Sequence, residues 1–133
     1  MVIAASGGGL SPEEQELLDS EDQLRTDGRF SDDAIAAALA FQAVKNRYMK
    51  TKEGWDEYAA SRRNALGKAW FAYPGTDLSG PERPNDRTWT SYALIYFYNP
   101  SAAPRALRCP FLALFGALDT RAMWIDALRC CRA

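Results

Sequence analysis

The sequence predicts a mainly helical chain whose long helical stretch is flanked by two short apolar strands. The chain has 133 residues, of which 47% are apolar and 25% charged, a composition typical of one globular domain with an ordinary core. Between residues 11 and 98, helix-starting residues and apolar residues at helical spacing recur. The runs at residues 2–5 and 111–115 are instead short and wholly apolar, which favours buried strands.

The first strand and first helix are marked by local signals. The run Val-Ile-Ala-Ala at residues 2–5 is stopped by Ser-Gly-Gly-Gly. A helix then begins after Ser11, with Pro12 at its first position and Glu14 placed to complete a capping box with Ser11. We expect this helix to end near Gly28 and to bury three leucines, which are Leu17, Leu18 and Leu24.

Three further helices are predicted. Ser31 caps the second, whose apolar residues lie on two faces, so we expect it to pack between neighbours. The third is expected over residues 55–70 and is followed by a loop at 73–86 rich in Pro, Gly, Asp and Asn. Residues 89–98 are strongly aromatic and suit a helix or a strand; helix is favoured.

The two strands pose a physical problem. Wholly apolar strands belong inside a parallel sheet that is covered on both faces, and two strands cannot make such a sheet. Either the runs are buried in an all-helical domain, or the remaining strands belong to sequence that this chain lacks.

Composition excludes several function classes. The chain contains no histidine, so a self-contained Ser-His-Asp or Cys-His site is excluded. A net charge of −1 without a basic run disfavours nucleic acid, and the spacing of the three cysteines matches no zinc pattern. We find no signal peptide and no run long enough to span a membrane, which predicts a soluble chain of unassigned compartment.

The charges are unevenly distributed. Residues 11–33 hold nine acids and two bases, whereas residues 34–70 hold seven bases and three acids. Two helices of opposite sign can face each other, but solvated outer faces are the favoured interpretation, since exposed pairs contribute only about 0–1 kcal/mol.

One order of motifs resembles a known family. A strand, Ser-Gly-Gly-Gly, a capped acidic helix, a helical insertion, Tyr-Asn-Pro and Leu-Arg-Cys-Pro-Phe-Leu-Ala-Leu-Phe-Gly-Ala-Leu-Asp follow one another over residues 1–120. This order resembles α/β-hydrolases of the bacterial esterase and prolyl-oligopeptidase-like branch. The resemblance implies an α/β-hydrolase fragment in which a helical lid is inserted between the sixth and seventh strands of a parallel sheet.

The resemblance also implies a division of the chain and one catalytic residue. Residues 1–10 correspond to a strand and loop of the hydrolase core, 11–98 to the lid, 99–120 to a linker and the next strand, and 121–133 to an atypical tail. Asp119, in Gly-x-x-Asp, corresponds to the acid of a Ser-Asp-His triad, which holds the catalytic histidine in its correct tautomer. The plain alternative is a solvated Asp in a turn after a strand.

Two departures from the family pattern lie beside these motifs. Asn99 precedes Pro100 where the family commonly has Asp, and the Val-Pro that usually follows the acid is missing. A frameshifted or truncated reading of a longer gene is one explanation for the tail.

Four aromatic residues are candidates for the lining of a substrate pocket, since lids of this family shape such pockets. They are Trp55, Trp70, Trp89 and Tyr92. Each is also a natural core residue, which is the more frequent role at this spacing. The sequence indicates no cofactor and no metal site.

The function expected from the resemblance is that of a partial serine hydrolase for ester, thioester or amide bonds, inactive alone because the Gly-x-Ser-x-Gly elbow and the histidine are missing. A non-catalytic helical interaction or regulatory domain is the alternative. A third is one chain of a split hydrolase, completed by a partner that carries Ser and His.

Overall fold

A computed structural model describes residues 10–74, 76, 78–99, 106, 108–110 and 112, and the backbone of residues 2–5 and 111–114. Within this part of the chain there are two strands and four helices. In chain order they are β1 (Val2–Ala5), α1 (Pro12–Asp27), α2 (Asp32–Thr51), α3 (Trp55–Ala65), α4 (Arg87–Tyr96) and β2 (Phe111–Leu114). The mainly helical class predicted from the sequence is therefore confirmed.

The chain divides into two compact units. The helical unit consists of Glu16–Ile95 and holds most of the helical residues. The strand unit is built from the two ends of the chain, through Gln15 and from Tyr96 onward.

The strand unit contains a parallel strand pair. In β1 and β2 the paired residues run from Val2 opposite Phe111 to Ala5 opposite Leu114, without a shift in register. Parallel neighbours require a long crossover connection, and here that connection is the whole helical stretch. The two predicted strands thus exist and pair with each other.

A capping box starts α1 as predicted. The backbone N–H and the hydroxyl of Ser11 both donate to Glu14 Oε2 at 2.8 Å, and the Glu14 N–H donates to Ser11 Oγ at 3.3 Å. These bonds satisfy donors that a helix start otherwise leaves unpaired. The helix ends before Gly28, whose φ of 73° is a conformation that glycine adopts without strain.

The start of α2 also follows its local signal. Ser31 Oγ accepts a hydrogen bond from Ala34 N at 3.3 Å, and Asp32 and Asp33 occupy the first turn. Carboxylates in this turn interact favourably with the helix dipole. The predicted Ser31 cap is therefore present.

The prediction for the third helix was wrong at its C-terminus. Helix α3 ends at Ala65, not near Trp70, because the chain turns at Gly67 with a φ of 84° and continues as short turns through Phe71. Leu66, the first residue after the helix, is 49% exposed. The ambiguous aromatic segment forms the predicted helix, α4, which begins two residues earlier than expected.

The hydrophobic core described here lies in the helical unit. Its buried residues come from α1, α2, α3 and the connection after α3; they are Leu24, Ile35, Ala38, Phe41, Tyr48, Tyr58, Ala65, Trp70 and Leu78. Of the leucines predicted for α1, Leu24 is fully buried while Leu17 and Leu18 are half-buried. Among the described helices, none combines the length and apolar character needed to cross a bilayer.

Both apolar faces predicted for α2 contribute to the core, and α2 also buries a set of polar residues that the sequence did not predict. Ala37 is exposed, whereas Gln42, Lys45 and Asn46 are at most 3% exposed. The Glu16 carboxylate on α1 meets this polar set, since its Oε1 accepts hydrogen bonds from Gln42 Nε2 and Lys45 Nζ, both at 3.1 Å. One pair of opposite charges between these helices is therefore largely withdrawn from solvent, with the Lys45 side chain 3% and the Glu16 side chain 17% exposed, which differs from the solvated faces that the sequence favours.

The connection between α3 and α4 is attached to α3 by one buried hydrogen bond. Tyr58 Oη donates to the carbonyl oxygen of Pro81 at 2.9 Å. Gly80 lies directly beside this bond, because a Cβ there would stand 2.5 Å from Tyr58 Oη and 3.2 Å from Lys45 Cδ. Burial raises the pKa of the Tyr58 hydroxyl to about 12.

The buried ion pair gives a test of the α1–α2 packing. We expect Lys45→Met to lower the free energy of unfolding by about 2 kcal/mol, because it leaves the partly buried Glu16 carboxylate without its oppositely charged partner. The double variant Glu16→Gln with Lys45→Met should recover a large part of the loss in a urea-unfolding series. Arg47→Met, which removes an exposed pair with Glu57, is the matched control and should cost less than about 1 kcal/mol. An equal loss of unfolding free energy in Lys45→Met and Arg47→Met would contradict the burial of the Glu16–Lys45 pair.

The raised pKa of Tyr58 gives a test at alkaline pH. Unfolded tyrosine ionises near pH 10, so the neutral hydroxyl stabilises the fold fully below about pH 10, and this contribution is lost as the pH rises towards 12. Unfolding experiments at rising pH should show a decline in this window that Tyr58→Phe lacks. Parallel curves for the two proteins would contradict the buried hydroxyl.

Candidate functional site

Asp119 lies outside the described residues, as does Ser6 beside the three glycines, so the assignment of Asp119 stays a prediction. The site geometry that can be measured belongs to the helical unit, where all four predicted pocket residues lie.

Trp55 is half-buried and packs against the aromatic core. It occupies the first position of α3, after Gly54, which has a φ of 76°. Its ring centroid lies 5.2 Å from that of Tyr48 and 5.6 Å from that of Tyr58. These distances are typical of attractive aromatic pairs, so Trp55 contributes to the packing of α3 against α2.

Trp70 lies in the turns that follow α3 and is 7% exposed. Its ring centroid is 6.1 Å from that of Phe41 on α2 and 6.1 Å from that of Phe71. The early end of α3 does not remove Trp70 from the core, because the turns after Gly67 bring it back against α2.

Trp89 and Tyr92 pair with each other on α4. Their ring centroids are 5.5 Å apart in a T-shaped arrangement, as expected for residues three apart on a helix. Trp89 is half-buried and Tyr92 is 40% exposed. This pair lies on α4, whereas Trp55 and Trp70 pack against aromatic residues of α2.

A groove of about 330 Å³ does exist, between α2 and α3. Of the four predicted pocket residues, Trp70 lines it. Phe41, Val44 and three alanines complete its apolar wall, and the polar part of its lining consists of Ser61, Asn64 and Lys68; the alanines are Ala37, Ala40 and Ala65. Its volume is at the small end of the range of about 300–1,000 Å³ that is usual for ligand pockets.

The groove coincides with small residues on α2 and α3, a pattern that does not by itself predict a groove from the sequence. Ala37 and Ala40 are three apart on α2, while Ser61 and Ala65 are four apart on α3. Each pair lies on one helix face, and small side chains on facing helices leave space between the helix axes. Neither pair could be recognised in advance, because the pattern does not say which helix faces meet.

Among the described residues, no group of three or more Cys, Asp or Glu side chains is placed to hold a metal ion. Comparisons with protein-family models, with curated proteins and with solved structures gave no significant match. The function of the chain is therefore inferred from its residues and their geometry.

The contrast between the two tryptophan environments can be tested. Trp70→Ala should lower the free energy of unfolding by about 3–5 kcal/mol, since it opens a cavity in the core beside Phe41. Trp89→Ala is the matched control on the outer helix and should cost about 1 kcal/mol or less. Urea denaturation followed by far-ultraviolet circular dichroism measures both, and a larger loss for Trp89→Ala would contradict the core position of Trp70.

Proposed function

We propose that this chain is the lid-bearing segment of an α/β-hydrolase for ester, thioester or amide bonds, and that it has no hydrolytic activity alone. In this proposal β1 and β2 are consecutive strands of the hydrolase sheet. The helical unit between them is the lid.

The observation that carries the proposal is the parallel pairing of β1 with β2 in direct register across the helical insertion. Consecutive strands of a parallel sheet with an inserted lid require this pairing, because both must run in the same direction. The all-helical alternative raised by the sequence has no need for such a pair.

The division of the chain supports the same proposal. The helical unit has its own buried core, while the strand unit is assembled from both ends of the chain. An insertion that folds around its own core can be accommodated between two neighbouring strands without disturbing the sheet.

The chemistry then follows from what the 133 residues contain. They hold no histidine and no Gly-x-Ser-x-Gly sequence, so neither the base nor the activated nucleophile of the triad is present. The part left to Asp119 is to accept the Nδ1 proton of a histidine supplied by other sequence and to stabilise the imidazolium as it forms.

A fluorophosphonate probe tests the proposal. It reacts when an activated serine oxygen attacks phosphorus and fluoride leaves, so the chain alone should remain unlabelled. A hydrolase core that carries the elbow and the histidine, but lacks the segment from its sixth to just past its seventh strand, should gain labelling and esterase turnover when this chain replaces that segment.

Variants of Asp119 sharpen this experiment. In the completed enzyme, Asp119→Asn should lower kcat by about three to four orders of magnitude, because the histidine loses its orienting acceptor. Asp22→Asn, at an exposed position of α1, is the control and should leave kcat unchanged. Labelling of the chain alone, or an unaltered kcat for Asp119→Asn, would overturn the proposal.

The second candidate function is a helical interaction domain, and the exposed side chains of α4 favour it. Leu94 is 79% and Ile95 70% exposed, whereas soluble domains usually keep adjacent large aliphatic residues covered. Purification of the tagged chain with a partner that the fluorophosphonate probe does not label would favour this function. A partner that the probe labels would favour the split hydrolase.

A further inference from the structure

We propose that the groove between α2 and α3 is a binding site for a small monocarboxylate with a short apolar chain. The proposal concerns the helical unit by itself and does not depend on the hydrolase proposal. It rests on the volume of the groove, its apolar wall and the single charge along its lining.

The wall of the groove fits an apolar chain. Phe41 and Trp70 supply aromatic surface, and Val44 with the three alanines supplies aliphatic surface. Burying apolar ligand surface against such a wall is favourable in proportion to the area removed from water. The volume of about 330 Å³ limits the chain to a small ligand.

The polar part of the lining selects the head group. Lys68 carries the one charge among the nine lining residues, and it forms no ion pair with the residues that the structure describes. Ser61 and Asn64 add a hydroxyl and an amide, both able to donate hydrogen bonds to a carboxylate. A cationic ligand would meet Lys68 as a like charge, and a dianion would leave one charge without a partner in the lining.

Aromatic packing keeps the groove in place without a ligand. Phe41 contacts Tyr58 at 6.2 Å and Trp70 at 6.1 Å between ring centroids, so this residue of the wall is held by two neighbouring rings. The two lining residues Ala37 and Ala40 are exposed to solvent, so the groove is accessible. A largely preformed site binds with a smaller ordering cost than one that must fold around its ligand.

Calorimetric titration of the full chain with straight-chain monocarboxylates tests the proposal. Octanoate, well below its micelle concentration, should bind with a dissociation constant on the order of 1 mM or tighter. From butanoate to octanoate, affinity should rise by about four-fold for each added methylene until the groove is filled. Octylammonium should bind more weakly than octanoate.

Two pairs of variants locate the site. Ala40→Phe fills the groove from an exposed helix position and should abolish octanoate binding, whereas Ala36→Phe, also exposed on α2 but outside the groove, should not. Lys68→Met should weaken binding about two- to five-fold and reduce its dependence on salt. Lys52→Met removes an exposed positive charge elsewhere and is the control for Lys68→Met.

The outcomes are decisive in both directions. Binding that grows with chain length and is lost in Ala40→Phe alone supports the site, and its weakening in Lys68→Met supports the carboxylate. The proposal is overturned by absence of octanoate binding, by unchanged binding in Ala40→Phe, or by equal binding of octylammonium and octanoate. None of these measurements involves the fluorophosphonate probe, so the two proposals can fail separately.

Discussion

Phe41 is the residue on which the packing of the helical unit depends. Its ring contacts Tyr58 on α3 and both aromatic residues of the following turns, Trp70 and Phe71, the last at 5.4 Å between centroids. One side chain of α2 therefore holds both α3 and the turns that follow α3 in place. Because Phe41 also forms part of the groove wall, the core and the candidate binding site share the same constraint.

Next to this aromatic core, α2 also buries polar side chains, among them Lys45. The Lys45 ammonium pairs with Glu16, while its aliphatic stem lies beside Gly80 and the Tyr58 hydroxyl. Taking Lys45 out of water costs free energy that its hydrogen bonds offset only in part. Its benefit is specificity, since a rotated or shifted α2 would leave a buried charge without its partner. The side-chain amide of Asn46, on the same face, makes no hydrogen bond within the described residues, so the side chains of this face are not fully satisfied.

Local rules predicted the parts of the fold that are decided locally. The caps at Ser11 and Ser31 depend on residues within three positions, and both formed where the sequence indicated. The end of α3 depends on the turn at Gly67, which competes with a periodic pattern that continues to Trp70, and the pattern gave the wrong answer. The position of Lys45 was missed for a related reason, because a sequence gives the sign of a charge but not its surroundings.

The candidate site shows the same limit more clearly. Trp70 lines the groove, whereas Trp55 packs against the core and Trp89 pairs with Tyr92 on α4. A substrate-pocket role for these residues stays a prediction. Aromatic content identifies residues that bury surface without distinguishing a core from a pocket. The groove itself arises where small residues on two helices meet, which is a property of the helix pair and of neither sequence segment alone.

The independent core of the helical unit changes which observations can separate the candidate functions. If a lid had no core of its own, it would unfold over a broad temperature range once removed from its enzyme. A sharp melting transition of the isolated chain would then indicate an autonomous interaction domain. Residues Glu16–Ile95, however, bury aromatic and aliphatic side chains around Phe41 and form a compact unit. Such a unit can unfold cooperatively whether it serves as a lid or as a binding module. Stability therefore does not distinguish the candidate functions. They are distinguished by the nucleophile that a completed enzyme activates and by the ligand that the groove binds.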